Sequence, residues 1–167
     1  MNDHDRNLAD VGRRWAGDRG EPDPAVRAAL AGVRDPESYL RAVAALCGSR
    51  LLLPILATGD DSADGPDPDR RTAMAAVSLR GADGRTALLA FTGLDAARAW
   101  NTEARPVPGT LDEVAATVAE AGSDVLLVDL AGPAQLEIGP DLLAHLAAGE
   151  RLVEVSAGDF GWLSVAR

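Results

Sequence analysis

The segment between residues 50 and 100 constrains the fold more than any other part of the chain. In chain order it contains an apolar run (50–58), a second apolar run (72–79), a turn (81–84), a third apolar run (85–92) and a helical stretch (94–100). Short apolar runs bounded by turn residues indicate strands, and a Gly-Ala-Asp-Gly turn between two of them indicates a β-hairpin. The segment therefore predicts a strand, then an antiparallel pair, then a helix.

Capping residues mark the other predicted helices. Asp23 and Asp35 each precede a proline, which is well suited to the first helical position. Thr110 and Glu113 have the spacing of a capping box, in which each side chain bonds the backbone of the other residue. A further helix opens at Pro140.

Two features of the strands and connections give further expectations. Pro54 lacks a ladder donor, so the first strand should lie at an edge or carry a bulge. Residues 106–109 contain two prolines and a glycine and are interpreted as a rigid linker. For the helix that ends at Trp100, we expect Thr92 or Asp95 to be the cap.

These elements predict a single α+β domain with a mixed, partly antiparallel sheet of about five strands packed with helices. A chain of 167 residues is long enough for one such core. We divide it into a flexible N-terminal arm (1–22), the α+β domain (23–149) and a C-terminal extension with a hairpin (150–167). Residues 1–20 of the arm and 60–70 of the acidic loop at 59–71 should be the most mobile parts, since they are rich in Gly, Pro and Asp.

Composition excludes several classes of function. All sixteen basic residues are Arg, so the chain has no P-loop lysine, no Schiff-base amine and no Ser-x-x-Lys nucleophile. A net charge of −10 disfavours binding to nucleic acid or to an anionic membrane surface. No apolar run approaches the ~20 residues of a membrane span. With a polar start and a single cysteine, Cys47, we expect a cytoplasmic protein.

Candidate metal and cofactor sites are weak. The loop at 60–65 has the oxygen spacing of a calcium loop, but Arg71 stands where a bidentate Glu should close the shell. Two histidines, His4 and His145, and one cysteine are a poor ligand set for zinc. We therefore expect no metal, no cofactor and no catalytic set.

Four residues are candidates for binding a partner. Trp and Arg are enriched at the energetic centres of protein interfaces, and Trp15 is unusual in an otherwise polar arm. Asp129 lies within the strongest buried-strand signal, at 125–130. The candidates are Trp15, Trp100, Arg105 and Asp129.

The order of several motifs resembles the N-terminal domain family of SseB, the enhanced-serine-sensitivity proteins. The resemblance spans about residues 22 to 149 and rests on the following segments: 22–25, 50–56, 74–79, 83–84, 88–94 with Trp100, and 122–129 followed by Pro133. The family pattern has Asn-Pro after the late strand, where this chain has Asp129 and Leu130. The resemblance implies a bacterial accessory or regulatory protein to which no catalytic residues can be assigned.

Three hypotheses of function follow. The first is a non-enzymatic protein that acts through an unknown protein partner. The second is an acidic, chaperone-like homodimer that holds a partner segment. The third is a small enzyme that uses Asp129 and Arg105, and it requires a concave pocket that joins these residues to Trp100.

Overall fold

A computed structural model describes residues 14–57, 74–103 and 105–164. Residues 1–13 of the predicted arm and the acidic loop at 59–71 lie outside this part. The helices are α1 (Pro24–Ala31), α2 (Pro36–Cys47), α3 (Leu94–Trp100), α4 (Leu111–Glu120) and α5 (Pro140–Ala147). The strands are β1 (Arg50–Ala57), β2 (Met74–Ala76), β3 (Ser78–Arg80), β4 (Thr86–Ala90), β5 (Arg105–Thr110), β6 (Val125–Val128), β7 (Leu136–Ile138), β8 (Glu150–Ser156) and β9 (Asp159–Ser164).

The strands form three ladders of mixed direction. Their orders are β2-β1-β5, β3-β4-β6-β7 and β8-β9. Only the β4–β6 pair is parallel in these ladders, and the predicted hairpin is formed by β3 and β4. The α+β class with a mixed, partly antiparallel sheet is confirmed. The described strands outnumber the five expected because the second apolar run is split at Val77, the proposed linker forms β5, and the C-terminal pair adds two more.

The first two ladders meet at Leu52 and Phe91. The N–H of Leu52 donates to the Phe91 carbonyl at 2.7 Å, and the reverse bond measures 2.9 Å. Since backbone groups alternate sides along a strand, the Pro54 nitrogen points to the same side as that of Leu52. It lies between this bridge and the start of the β2 pairing at Ile55. Pro54 thus lies at a position where no ladder hydrogen bond requires its missing N–H. The prediction of an edge strand is wrong, because β1 lies between β2 and β5.

The proposed linker at 106–109 is also a misinterpretation. Residues 105–110 form β5, which pairs with β1 along its whole length. Pro106 lies opposite Pro54 and Pro108 lies opposite Leu52. These positions carry no bond between the two strands, so the missing proline N–H groups cost the pairing nothing.

The sheet separates two apolar layers. Alternate residues of β1, β4 and β6, such as Leu51, Leu88 and Leu126, pack with α1, α2, α4 and α5 in the larger layer. The alternating residues on the opposite face of the sheet, such as Leu52 and Leu89, pack with α3 in a smaller layer. Its buried members are Leu52, Leu89, Phe91, Ala96 and Ala97.

Local capping agrees with the sequence at three of the helices. The Asp23 carboxylate accepts from the Ala25 N–H at 2.9 Å, and Asp35 forms a capping box with Ser38. The capping box of Thr110 and Glu113 is present at the start of α4. Among the described helices, none is long and apolar enough to cross a membrane.

The C-terminal hairpin, β8 and β9, packs on the larger layer through Leu152 and Trp162. An ion pair also fastens it to α2, since Arg41 donates to both carboxylate oxygens of Glu154 at 3.0 and 2.7 Å. These bonds and one from the Gly158 N–H lower the pKa of Glu154 to about 2.

The buried ring of Phe91 should contribute strongly to stability. It is fully buried, and its centroid lies 5.7 Å from that of Trp100. We expect Phe91→Ala to lower the free energy of unfolding by about 3–5 kcal/mol, because it removes apolar contacts and leaves a cavity. Chemical denaturation measures this loss; a loss below about 1 kcal/mol would mean that the layer collapses around the shorter side chain.

The Arg41–Glu154 pair should make stability depend on pH. The folded-state pKa of Glu154 is depressed from 4.5 to about 2, so the carboxylate stabilises the fold above the unfolded value and loses this contribution as pH falls towards 2. Glu154→Gln should therefore lose less stability over this window than the native chain. Denaturation at several pH values checks this, with the exposed Glu120→Gln as the control, whose pH dependence should match that of the native chain.

Candidate functional site

The parallel strands β4 and β6 bring two polar residues to the same edge of the sheet. Ala90 lies opposite Val128 at the carboxyl ends of these strands. Thr92 follows one strand and Asp129 the other. The Asp129 N–H donates to the Ala90 carbonyl at 3.0 Å, which holds the two ends together. Ligand sites of α/β proteins commonly form at the carboxyl ends of parallel strands, so this edge is the first candidate.

Asp129 is a buried carboxylate whose hydrogen bonds are internal. Its side chain is 0% exposed and accepts from the Thr92 N–H at 2.8 Å and from the Thr92 hydroxyl at 2.6 Å. Burial raises the pKa of Asp129, and the two bonds from Thr92 oppose that rise. Its φ of 55° is in the left-handed region, where Asp is tolerated better than most residues. The chain bends sharply here to return as β7.

Arg27 of α1 completes this group. Its Nε donates to the Thr92 hydroxyl oxygen at 2.6 Å and lies 3.5 Å from Asp129 Oδ2. Its terminal nitrogens donate to both oxygens of Asp95, at 3.1 and 2.7 Å, which lowers the pKa of Asp95. Thr92 and Asp95 are thus engaged elsewhere, and the prediction that one of them caps α3 is wrong. Gly93 is the N-cap, without a side-chain bond.

A second arginine joins the same edge to the N-terminal segment. Arg50, the first residue of β1, has a guanidinium that is 8% exposed. It donates to the Thr92 carbonyl at 2.6 Å and to the Glu21 carbonyl at 2.7 Å. It also binds both carboxylate oxygens of Asp18, and this bonding lowers the pKa of Asp18. Residues 18–21 are therefore held on the domain by a buried cation.

A cavity of about 370 Å³ opens between this N-terminal segment and the sheet. We call it the Trp15 cavity; its lining residues are Trp15, Asp18, Arg19, Gly20, Leu52, Leu94, Pro106 and Pro108. The indole Nε1 of Trp15 is buried and has no hydrogen-bond acceptor within the described structure. Gly20 allows the segment to approach α3 closely, because a Cβ there would lie 2.7 Å from Leu94 Cβ and the φ is +80°.

The comparisons with known proteins give one match. The family model of the SseB protein N-terminal domain matches residues 25–145. The chain belongs to the SseB family. Neither the comparison with curated proteins nor that with solved structures gave a match. The match includes Arg27, Arg50, Thr92 and Asp129, whereas Trp15 precedes it. The Trp15 cavity therefore lies where the SseB domain meets a segment outside the matched region.

The four residues predicted to bind a partner do not lie in one site. Trp15 lines the cavity, whereas Trp100 is half-buried against Phe91. Arg105 is exposed at the start of β5. Asp129 has no surface to offer a partner. The Trp15 cavity is not lined by Trp100, Arg105 or Asp129, so it is not the pocket that the enzyme hypothesis requires.

Several residues of the site were missed by sequence reasoning. Sequence reasoning predicts no role for Arg27 or Arg50, and it predicts Thr92 only as a possible helix cap. A polar residue directly after each of two buried strands was the available signal, but it predicts a contact only if the strands are parallel neighbours.

Within the described residues, no group of three or more His, Cys, Asp or Glu could hold a metal ion.

The hydroxyl of Thr92 should be essential for this group. It donates to Asp129 Oδ2 and accepts from Arg27 Nε. Thr92→Val therefore leaves both of these atoms without the hydroxyl as a hydrogen-bond partner. We expect a loss of about 1–3 kcal/mol in the free energy of unfolding. Thr92→Ser keeps the hydroxyl and is the matched control. Equal denaturation midpoints for the two variants would show that the hydroxyl adds nothing.

Proposed function

We propose that this SseB-family protein is a non-enzymatic bacterial accessory protein that acts in the cytoplasm by binding a protein partner at the Trp15 cavity. The observation that carries the proposal is the lining of the cavity. Its apolar walls come from Leu52, Leu94, Pro106 and Pro108. Concave apolar sites with a few polar groups are typical binding sites, and a central Trp is a frequent energetic anchor of an interface.

The polar groups near the cavity favour binding over catalysis. Asp18 lines the cavity, but both of its oxygens are bound by Arg50, and one also accepts from the Gly20 N–H at 2.8 Å. A general base needs a carboxylate that is free to accept a proton from substrate, and Arg50 lowers the pKa of this one. Asp129 is inaccessible, since its side chain is 0% exposed.

Rigidity also supports a binding role. Proline side chains on two strand positions and a glycine fixed against Leu94 leave little freedom in the cavity wall. The clamp of Arg50 on Asp18 holds the segment that carries Trp15. A site that is ordered before binding loses less conformational entropy on association, so even a small contact can be specific.

The proposal is tested by comparing two variants of the full chain. The partner is first identified by capture from native lysate and then purified. Trp15→Ala should weaken its binding by at least tenfold, since an anchor of an interface typically contributes 2 kcal/mol or more, about 30-fold. Leu163→Ala, which truncates an exposed side chain on β9, should bind as the native chain does.

Three controls separate the alternatives. The free energy of unfolding of Trp15→Ala must match that of the native chain, so that lost binding is not lost structure. Light scattering gives the oligomeric state, and a dimer that dissociates on Trp15→Ala would favour the chaperone-like homodimer instead. Partner binding that is equally strong in the native chain, Trp15→Ala and Leu163→Ala would contradict the proposed site.

A further inference from the structure

We propose that a second copy of this chain docks on the outer face of the C-terminal hairpin, across a two-fold axis that pairs Arg151 of each copy with Asp159 of the other. We call this surface the hairpin outer face. It comprises Arg151, Val153 and Val155 of β8 and Asp159, Gly161 and Leu163 of β9. None of these residues lines the Trp15 cavity, and all of them follow the region matched by the SseB domain.

The hairpin turns one face towards the domain and leaves the other exposed. Leu152 and Trp162 pack on the larger layer. Since side chains alternate along a strand, their neighbours Val153 and Leu163 point the opposite way. Val155 and Leu163 are two of the three large apolar side chains that are exposed among the described residues, at 63% and 51%. Apolar side chains grouped on one exposed face indicate an interaction surface.

Gly161 lies at the centre of this face, opposite Val153. The fold of a single chain does not require a glycine there. Its backbone is outside the left-handed region, and the atom nearest to an added Cβ would be Val155 Cγ1, at an ordinary contact distance of 3.7 Å. A glycine inside a strand weakens it and often marks the close approach of another backbone or a ligand. The bare centre therefore points to an occupant that comes close to the β9 backbone.

The charges of the hairpin outer face identify a second copy as the occupant. Arg151 lies opposite Leu163, and Asp159 lies four residues before Leu163, so the two charges stand about 13 Å apart at opposite ends of the face. Neither forms an ion pair with a described residue. A two-fold axis that crosses the strands at the centre of the face reverses its ends. Arg151 of each copy then faces Asp159 of the other, so the face is complementary to itself.

The packing of sheets agrees with this arrangement. Two sheets stack face to face at about 10 Å, with their strands roughly 30° apart. In that space, Val155 and Leu163 of both copies surround the bare centre at Gly161. The charges of Arg151 and Asp159 cancel, so the face is neutral on a chain whose net charge is −10.

The small size of the face predicts a weak dimer. A standard interface contains roughly 20–30 residues from each partner, far more than the hairpin outer face offers. Sedimentation velocity of the full chain from about 10 μM to about 1 mM covers the range in which a transient complex forms. We expect the average sedimentation coefficient of the native chain to rise with concentration. Leu163→Ala should weaken the association about tenfold, because it removes apolar contact from both copies.

Charge reversal tests the pairing itself. Arg151→Asp and Asp159→Arg should each weaken the association at least tenfold, since like charges then face each other at both pairs. An equimolar mixture of the two variants should recover most of the native affinity, because each pair in the mixed dimer joins opposite charges. Arg80→Asp changes the net charge by the same amount as Arg151→Asp, at an exposed position on β3, and should associate as the native chain does. Chemical denaturation confirms that each variant is folded.

Three results would overturn the inference. The first is a native chain that stays monomeric over the whole range, and the second is native association in both charge variants. The third is a mixture that associates no better than its components. Leu163→Ala should lose the dimer and keep the protein partner, whereas Trp15→Ala should lose the partner and keep the dimer. Failure of this inference is therefore distinguishable from failure of the proposed function.

Discussion

Thr92 joins segments of the chain that are far apart in sequence. Its carbonyl accepts from Arg50, its N–H donates to Asp129, and its hydroxyl bonds Asp129 and Arg27. Through these bonds, α1, the start of β1 and the end of β6 are fixed around the junction of β4 with α3. Arg50 then extends the network to the N-terminal segment. Because these bonds are buried or partly buried, breaking one leaves a polar group with little access to solvent in its place.

This network explains how a polar edge of the sheet adjoins a cavity of mainly apolar character. The charged groups at the carboxyl ends of β4 and β6 satisfy one another and face inward. Their role is to hold the segment that carries Trp15 over the floor made by β1 and β5. The positions at which many α/β proteins place catalytic groups hold the N-terminal segment in place here, beside the cavity that we propose as the binding site.

Much of the fold could be predicted because its signals are local. The β3–β4 hairpin, the caps at Asp23 and Asp35 and the capping box of α4 each depend on residues within a few positions of one another. By contrast, β5 was interpreted as a linker because its prolines disfavour a strand, and only the pairing with β1 makes it one. The bonds of Arg27 and Asp129 to Thr92 span 65 and 37 positions. No local pattern encodes them, because they depend on which strands become neighbours.

The prolines of β5 have a consequence for association between molecules. β5 is the outermost strand of its ladder, and Leu52 turns its backbone groups towards Phe91. Pro108 and Pro106, opposite Leu52 and Pro54, therefore turn their nitrogens towards the edge at which no described strand pairs with β5. That edge lacks two of the donors that an incoming strand would need. The covalent structure of β5 therefore disfavours the addition of a strand from another molecule, and this effect does not depend on charge or salt.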